Sequence, residues 1–225
     1  MRKPAALILV FLCSAVWASP SVQAQSRHKI ARWVEEVTLG PEFGGSGKIC
    51  SRWVTTPTLS VFGATALQRK VVASSLAHLN KTLAKTPIKE IRRLSPNDDD
   101  ASILVYFAPL RELPDLATQH GFKYVEGNWG LFYTFWNRHR IYRAIVLIAN
   151  ELKGKDLRHF VLEEITQSLG VSNDSRIFSG SMFYGGRSNT QNLSKLDKKL
   201  IIFFYNHIQP GAEREDVQAA FRVYW

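Results

Sequence analysis

The chain has 225 residues, of which 45% are hydrophobic and 21% are charged, with 29 Lys and Arg against 19 Asp and Glu. These values are ordinary for a globular protein and exclude a disordered chain, a collagen and a disulfide-based scaffold. The formal net charge of +10 permits attraction to anionic lipid, nucleic acid or acidic polysaccharide, but it carries no information about the fold.

The N-terminal segment has the features of a secretory signal peptide. Arg2 and Lys3 precede an apolar stretch over residues 5–17, and a small-x-small pattern ends at Ala24. This pattern predicts cleavage after Ala24, a single domain over residues 25–225, and a periplasmic or secreted protein whose formal net charge falls from +10 to +8. Because no segment has the roughly 20 apolar residues that a bilayer crossing needs, we do not expect a membrane-spanning protein.

The hydrophobic period after residue 25 changes several times between two and 3.6, which predicts one domain of mixed α and β structure. The predicted elements, in chain order, are a strand or strand pair over residues 48–61, a helix over 67–83, a strand over 88–94, a central strand over 102–107, strands over 124–136 and 141–149, and helices over 156–169, 194–206 and from about 213. Cys50 is the only cysteine after the signal peptide, and we expect it to be buried and unreactive.

The helix predicted over residues 156–169 carries polar side chains at unusual positions. Glu164 falls inside the apolar arc, so its carboxylate faces either the core or a cleft. His159, Glu163 and Gln167 follow one another at four-residue intervals along the neighbouring edge of the helix. The pattern is compatible with a metal-binding or hydrogen-bonding site, but a solvated ridge beside a structurally paired Glu164 explains it as well and is the commoner arrangement.

Residues 163–174, EEITQSLGVSND, resemble the zincin signature H-E-x-x-H-x-L-G-x-x-H-D with every histidine replaced. Leu169, Gly170 and Asp174 anchor this register. Residues 180–184, GSMFY, resemble the Met-turn of metzincins, and residues 193–205 resemble the helix that closes those catalytic domains. The combination is similar to an uncharacterised family of exported proteobacterial proteins, domain-of-unknown-function family 2927, whose members carry a Glu-Glu-x-x-Gln helix.

The resemblance implies a zincin-like α+β domain, with a mixed twisted sheet, a long backing helix, an active-site-type helix and C-terminal helices. The implied order is strand, long helix, strand, strand, edge strand, strand and active-site helix. By position, Glu164 stands where a zincin has its general base. The positions of the three zinc-binding histidines hold Glu163, Gln167 and Asn173, and the cleft and Met-turn positions hold Asp174, Ser181, Met182 and Tyr184.

Replacement of all three histidines changes the chemistry that the resemblance implies. Two carboxamides and one carboxylate form a poor zinc site, although they would suit a harder ion such as calcium. Without a metal no bound water reaches a pKa near 7, and Glu164 has no nucleophile to activate. We therefore expect no cofactor, with zinc or calcium as the alternatives and His159 as a replacement ligand one turn before Glu163.

The sequence leaves three functional hypotheses. The first is an exported pseudoenzyme that binds a peptide, glycan or protein partner of the cell envelope in a degenerate peptidase cleft. The second is a divergent metal-dependent or carboxylate-based hydrolase with Glu164 as general base. The third is a basic envelope- or polyanion-binding module, because residues 122–143 interleave eight aromatic residues with four Lys or Arg. Strands packed into the core would explain the same aromatic residues, and we expect no nucleic-acid partner.

Overall fold

The computed structural model describes residues 20–39, 49–186, 188 and 190–225. Its helices are α1 (Pro20–Thr38), α2 (Ala66–Leu83), α3 (Leu113–Gln119), α4 (Gly154–Gln167), α5 (Lys195–His207) and α6 (Arg214–Tyr224), with a 3-10 turn at Leu110–Glu112. Its strands are β1 (Arg52–Trp53), β2 (Thr58–Phe62), β3 (Arg92–Arg93), β4 (Ile103–Ala108), β5 (Gly130–Asn137) and β6 (Arg140–Ala149). Most of the predicted signal peptide lies outside the described residues, so its cleavage after Ala24 stays a prediction.

The strands of the described residues form one mixed sheet. β6 pairs with β5 along one side and with β4 and β1 along the other, and β2 and β3 follow β4. All pairs are parallel except the β5–β6 hairpin, which makes β5 an antiparallel edge strand. β4 and the second half of β6, residues 144–149, are nearly continuous apolar runs because strands inside a sheet are buried on both faces. The predictions of a mixed sheet, a central strand at 102–107 and an edge strand before the last strand are confirmed.

The long helix α2 begins and packs as its sequence predicts. Thr65 and Gln68 form a reciprocal capping box, in which each side chain accepts a hydrogen bond from the backbone N–H of the other residue. Leu76, Leu79 and Leu83 follow at helical spacing, and all three are buried in the hydrophobic core. Burial of each leucine side chain contributes about 1.5–3 kcal/mol. α2 packs against α4 and α5, so it supports the helix that carries the candidate site.

The C-terminal end of α4 is held by contacts from two distant elements. Trp53 of β1 donates its indole N–H to the carbonyl of Ser168 at 3.0 Å, and Tyr205 of α5 donates its hydroxyl to the carbonyl of Leu169 at 2.7 Å. These bonds satisfy carbonyls that have no partner within a helix. Gly170 follows with φ of +103°, and a Cβ there would lie 2.1 Å from the backbone oxygen just before β1. Glycine is therefore required at this position for both conformation and space.

Two predicted strands are shorter than expected. The predicted strand over residues 88–94 contains only β3, because Lys89 adopts a φ of 66° and its N–H bonds to the Thr86 carbonyl in a turn. The predicted strand over residues 124–136 begins only at Gly130. Gly127 has a φ of 87°, and the Tyr124 hydroxyl donates to the Asn128 carbonyl, which closes a turn in place of a strand.

Two helices, α1 and α3, are missing from the sequence-based prediction. α1 buries Trp33, Val34 and Val37 against the rest of the protein, although residues 25–32 are mostly polar. Cys50 lies near its end, and its thiol donates to the Thr38 carbonyl at 3.0 Å. Burial raises the pKa of the Cys50 thiol to about 12, so the expectation of a buried cysteine is confirmed and the thiolate is disfavoured. No helix within the described residues combines the length and apolar character that a membrane crossing needs.

Candidate functional site

One edge of α4 carries three polar side chains that the structure buries. His159, Glu163 and Gln167 lie one turn apart, and His159 and Gln167 are 5% and 2% exposed. The Glu163 side chain is 12% exposed. The interpretation of this edge as a solvated ridge is therefore wrong. Buried polar groups persist in proteins only when they have hydrogen-bond partners, so the contacts of these three side chains define what the site can do.

The imidazole of His159 is held between two acceptors. Its Nε2 lies 3.2 Å from Oε2 of Glu163, and its Nδ1 lies 2.7 Å from the carbonyl oxygen of Thr190. Burial alone would lower the pKa of His159, but the hydrogen bond and charge of Glu163 and the Thr190 carbonyl outweigh burial and raise it. A ring that donates from both nitrogens is an imidazolium, which has no lone pair to offer a metal.

Gln167 and Asp174 form the second pair of the site. Nε2 of Gln167 donates to Oδ1 of Asp174 at 2.9 Å. Although Asp174 as a residue is exposed, the protein packed around its carboxyl group desolvates it and, with the nearby charge of Glu163, raises its pKa to about 6, while the hydrogen bond from Gln167 opposes this rise. A Cβ at Gly185 would lie 2.8 Å from Cβ of Asp174, so the loop after Met182 passes directly against this carboxylate.

Asn173, at the position of the third zinc-binding histidine, bonds to α1. Its Nδ2 donates to the carbonyl of Leu39 at 2.6 Å, and its backbone N–H donates to the carbonyl of Val37 at 3.3 Å. The neighbouring Ser175 donates its hydroxyl to Glu36 of α1 at 2.6 Å. The segment after α4 is thus fastened to a helix that the sequence did not predict, which explains why these contacts could not be foreseen.

The donors at the zincin-type ligand positions do not fit zinc. Glu163 pairs with His159, and both carboxamides, Gln167 and Asn173, use their nitrogens as hydrogen-bond donors. Among the described residues, no group of three or more His, Cys, Asp or Glu side chains is arranged to hold a metal ion. Zinc in proteins is bound by imidazole, thiolate or carboxylate groups, and of the three positions only Glu163 carries one of these, which is already paired with His159.

The side chain of Glu164, on α4, lies against the start of the edge strand β5. It is 5% exposed, and a Cβ at Gly130 of β5 would lie 2.6 Å from its Oε1 and 2.7 Å from Cδ1 of Phe160. Only glycine allows β5 to approach the carboxylate so closely. The structure therefore brings the position of the zincin general base together with the predicted edge strand, through a glycine that carried no signal in the sequence.

The Met-turn-like loop is tied to α5 by one buried carboxylate. Asp197 is fully buried and accepts hydrogen bonds from the Ser181 hydroxyl at 2.6 Å, the Met182 backbone N–H at 3.1 Å and the Ser194 backbone N–H at 2.7 Å. Met182 is itself fully buried, and Tyr184 forms a backbone bridge with the segment after α4. The Ser194–Asp197 spacing predicted a helix cap, which the structure contains. The same Asp197 carboxylate also binds the Met-turn-like loop, and the sequence did not predict this contact.

Glu164 lies beside Gly130 of β5, and most of the other sequence-predicted residues fall into three groups of contacts. Glu163 and Gln167 join one polar row with His159 and Asp174, Asn173 joins α1, and Ser181 and Met182 join α5. The helical spacing of His159 and Glu163 was visible in the sequence. Sequence reasoning missed the contributions of Thr190, Gly130 and Asp197, because their contacts to the site span large separations along the chain.

One of three comparisons with known proteins assigns the chain to a family. No curated protein matches the chain. Two solved structures of myroilysin resemble it at 11% identity, one with a TM-score of 0.41 over 71% of this chain and 97% of that chain, the other with 0.43 over 84% and 97%. These likenesses are too distant to assign a function to this chain. A family profile described as "Protein of unknown function (DUF2927)" matches residues 27–223, from α1 to α6, and the chain therefore belongs to the DUF2927 family.

Proposed function

We propose that this protein is an exported, zincin-like pseudoenzyme that works without a metal and binds an extended peptide segment of a cell-envelope partner. One observation carries the proposal. The side chains at the zincin ligand positions are hydrogen-bonded to protein groups, with Glu163 on His159, Gln167 on Asp174, and Asn173 on α1. Such a network rigidifies a cleft, and two carboxamides with one paired carboxylate are a poor ligand set for a zinc ion that would activate water.

The edge strand supports a peptide as the occupant of the cleft. Within the described residues, β5 pairs with β6 along one side, and no strand pairs with its other side. An edge of this kind presents backbone N–H and C=O groups to which an extended peptide can add as a further strand. Because β5 begins against Glu164, a peptide added beside Gly130 would pass this carboxylate.

A carboxylate-based hydrolase is the second candidate, and one observation favours it. Desolvation and, after it, the charge of Glu163 raise the pKa of Asp174 to about 6. A carboxyl group with a raised pKa beside a second carboxylate is typical of general acid–base sites. This candidate requires that the purified protein cleaves a substrate and that Glu164→Gln or Asp174→Asn abolishes the cleavage.

Elemental analysis of protein purified without chelators or a histidine tag tests the absence of metal. We expect no stoichiometric zinc or calcium. About one zinc per chain that remains after dialysis would contradict the pseudoenzyme proposal.

Incubation with a denatured protein mixture, followed by mass spectrometry of the peptides, tests the hydrolase candidate, for which Glu164→Gln is the control.

Peptide binding is tested on an array of immobilised 12-residue peptides. We expect selective capture that Gly130→Ala weakens at least tenfold, because the new methyl group displaces Glu164 and the start of β5. Gly180→Ala is the matched control, since a Cβ at Gly180 meets no atom within 4 Å. Equal loss in both variants, or no capture by the unchanged protein, would contradict a peptide site at this edge.

A further inference from the structure

A second open surface lies at the turn of the β5–β6 hairpin, and we name it the hairpin groove. It has a volume of about 1220 Å³ and is lined by residues 53–56, 58, 102, 136–138, 140–142 and 209–210. Its buried floor includes Trp53 and Ile141, while Trp136 and Tyr142 are 50% and 59% exposed. β5 spans seven residue steps from Gly130 to Asn137, or roughly 20 Å, so the groove and Glu164 lie at opposite ends of this strand.

The charges of the hairpin groove have one sign. Arg138 and Arg140 line it and are exposed, and its lining includes no Asp or Glu. Neither arginine forms an ion pair with any residue that the structure describes. The chain as a whole is basic, with a formal net charge of +10. This combination complements an anionic ligand, because unpaired guanidinium groups bind carboxylates and phosphates through paired hydrogen bonds.

The turn that presents these arginines adopts an unfavourable conformation for its sequence. Arg138 and His139, its two central residues, have φ values of 48° and 60°. Two-residue hairpin turns of this type favour Asn-Gly, since left-handed conformations are costly for residues with larger side chains. The His139 ring stacks on Trp136 with centroids 4.8 Å apart, which fixes the orientation of the indole. The strained turn thus lies where the charged Arg138 and the ordered ring of Trp136 face the solvent.

We infer that the hairpin groove binds an acidic polysaccharide. Sugar rings would stack on Trp136 and Tyr142, and their carboxylate groups would pair with Arg138 and Arg140. The rest of the lining is rich in hydroxyl and amide side chains, such as Thr55, Thr56, Asn137 and Gln209. These groups complement the several free hydroxyls on each unit of an acidic sugar polymer better than they complement a nucleic acid, whose sugar units carry at most one free hydroxyl each.

Isothermal titration of the purified protein with hexagalacturonate tests the inference, with uncharged maltohexaose as the comparison ligand. We expect hexagalacturonate to bind at least tenfold more tightly than maltohexaose, with an affinity that falls as salt rises. Trp136→Ala or Tyr142→Ala should weaken binding at least tenfold. Both side chains are largely exposed, and far-UV circular dichroism and a thermal melt verify that each variant folds.

Two double variants separate the groove from general charge attraction. Arg138→Ala with Arg140→Ala should weaken binding at least tenfold, whereas Lys70→Ala with Lys195→Ala removes the same charge from α2 and α5 and should change it less than twofold. Equal losses in the two double variants would overturn the inference, and so would an absence of binding. Tighter binding of a twelve-residue oligothymidylate, lost in the same groove variants, would also overturn it in favour of a nucleic-acid site.

Gly130→Ala distinguishes this inference from the proposed function. That substitution alters the opposite end of β5, and we expect it to leave the affinity for hexagalacturonate within twofold of the unchanged protein. A loss of hexagalacturonate binding in Gly130→Ala would assign the sugar to the cleft beside Glu164 and overturn the assignment to the hairpin groove.

Discussion

The two ends of β5 differ in how their polar groups are used. At its start, Gly130 touches buried Glu164, and the nearby polar side chains of α4 bond to protein groups. At its end, Trp136 and the arginines of the hairpin face solvent, and these arginines form no ion pair with a described residue. Buried polar groups that bond to one another stabilise one conformation, whereas exposed unpaired groups remain available to a ligand. Substitutions at the two ends should therefore have opposite consequences for stability.

The largest effect is expected at Asp197, which anchors the Met-turn-like loop beside the α4 site. Asp197→Ala removes the acceptor of three hydrogen bonds and leaves their donors without a partner in the core. We expect a loss of about 3 kcal/mol in the free energy of unfolding, measured by urea titration. Asp100→Ala, at an exposed turn, is the control and should change stability by less than about 0.5 kcal/mol. Equal losses would show that the loop does not depend on this carboxylate.

Glu164→Ala should lower the free energy of unfolding by about 1–3 kcal/mol if Glu164 has a structural role, because it removes the interactions of a buried carboxylate with its surroundings. Catalytic carboxylates often behave in the opposite way, since active sites are held at a cost to stability. Thermal melts with Glu112→Ala as an exposed control measure the difference. An unchanged or raised midpoint for Glu164→Ala would favour the hydrolase candidate.

Gly130→Ala should cost about 1–3 kcal/mol, because its methyl group would overlap Glu164 and Phe160. The cost should be smaller in the Glu164→Ala background, where one of the overlapping side chains is shortened. A double-mutant cycle in urea measures this coupling. If the losses of the two single variants add up in the double variant, the cost of Gly130→Ala does not depend on the Glu164 side chain.

The paired region should also make stability depend on pH. The pKa of His159 is raised in the folded protein, so the folded state binds more protons than the unfolded state and stability falls as pH rises through and above 6.5. The pKa of Asp174 is raised from 3.8 to about 6, so its protonation also makes stability fall as pH rises between about 4 and 6. Because Asp174 is exposed, solvent screening reduces the size of this contribution.

Urea titrations from pH 4 to pH 9 measure this dependence. His159→Gln should flatten the upper part of the profile, and Asp174→Asn should flatten the lower part. Stability that rises across this range in the unchanged protein, with the same slope in both variants, would contradict the ion pair and the raised pKa of Asp174.

The smallest expected effect is a gain in stability, and it concerns the turn of the hairpin groove. Arg138→Gly should raise the free energy of unfolding by about 1 kcal/mol, because glycine adopts the left-handed conformation without strain. Arg138→Ala is the control, since it removes the charge but keeps the strained conformation, and it should give no gain. Thermal melts compare the two variants. A loss of stability in Arg138→Gly would show that the arginine supports the fold and is not kept for a ligand.

Features that depend on neighbours within a few turns of chain were predictable from the sequence. α4 follows from its helical spacing and from Gly170, β4 from its continuous apolar run, and the start of α5 from the spacing of Ser194 and Asp197. The row of His159, Glu163 and Gln167 was predictable for the same reason, because a four-residue interval places side chains on one edge of any α-helix.

The tertiary structure alone decided what these residues contact. His159 meets the carbonyl of Thr190, Asn173 meets Leu39, and Glu164 meets Gly130, across separations of 31 and 134 residues for the first two pairs. Such contacts depend on the path of the whole chain, which hydrophobic periodicity does not encode. The sequence by itself therefore determined which chemical groups lie along α4. The fold determined that they bond within the protein, since burial leaves a polar group no stable alternative to a protein partner.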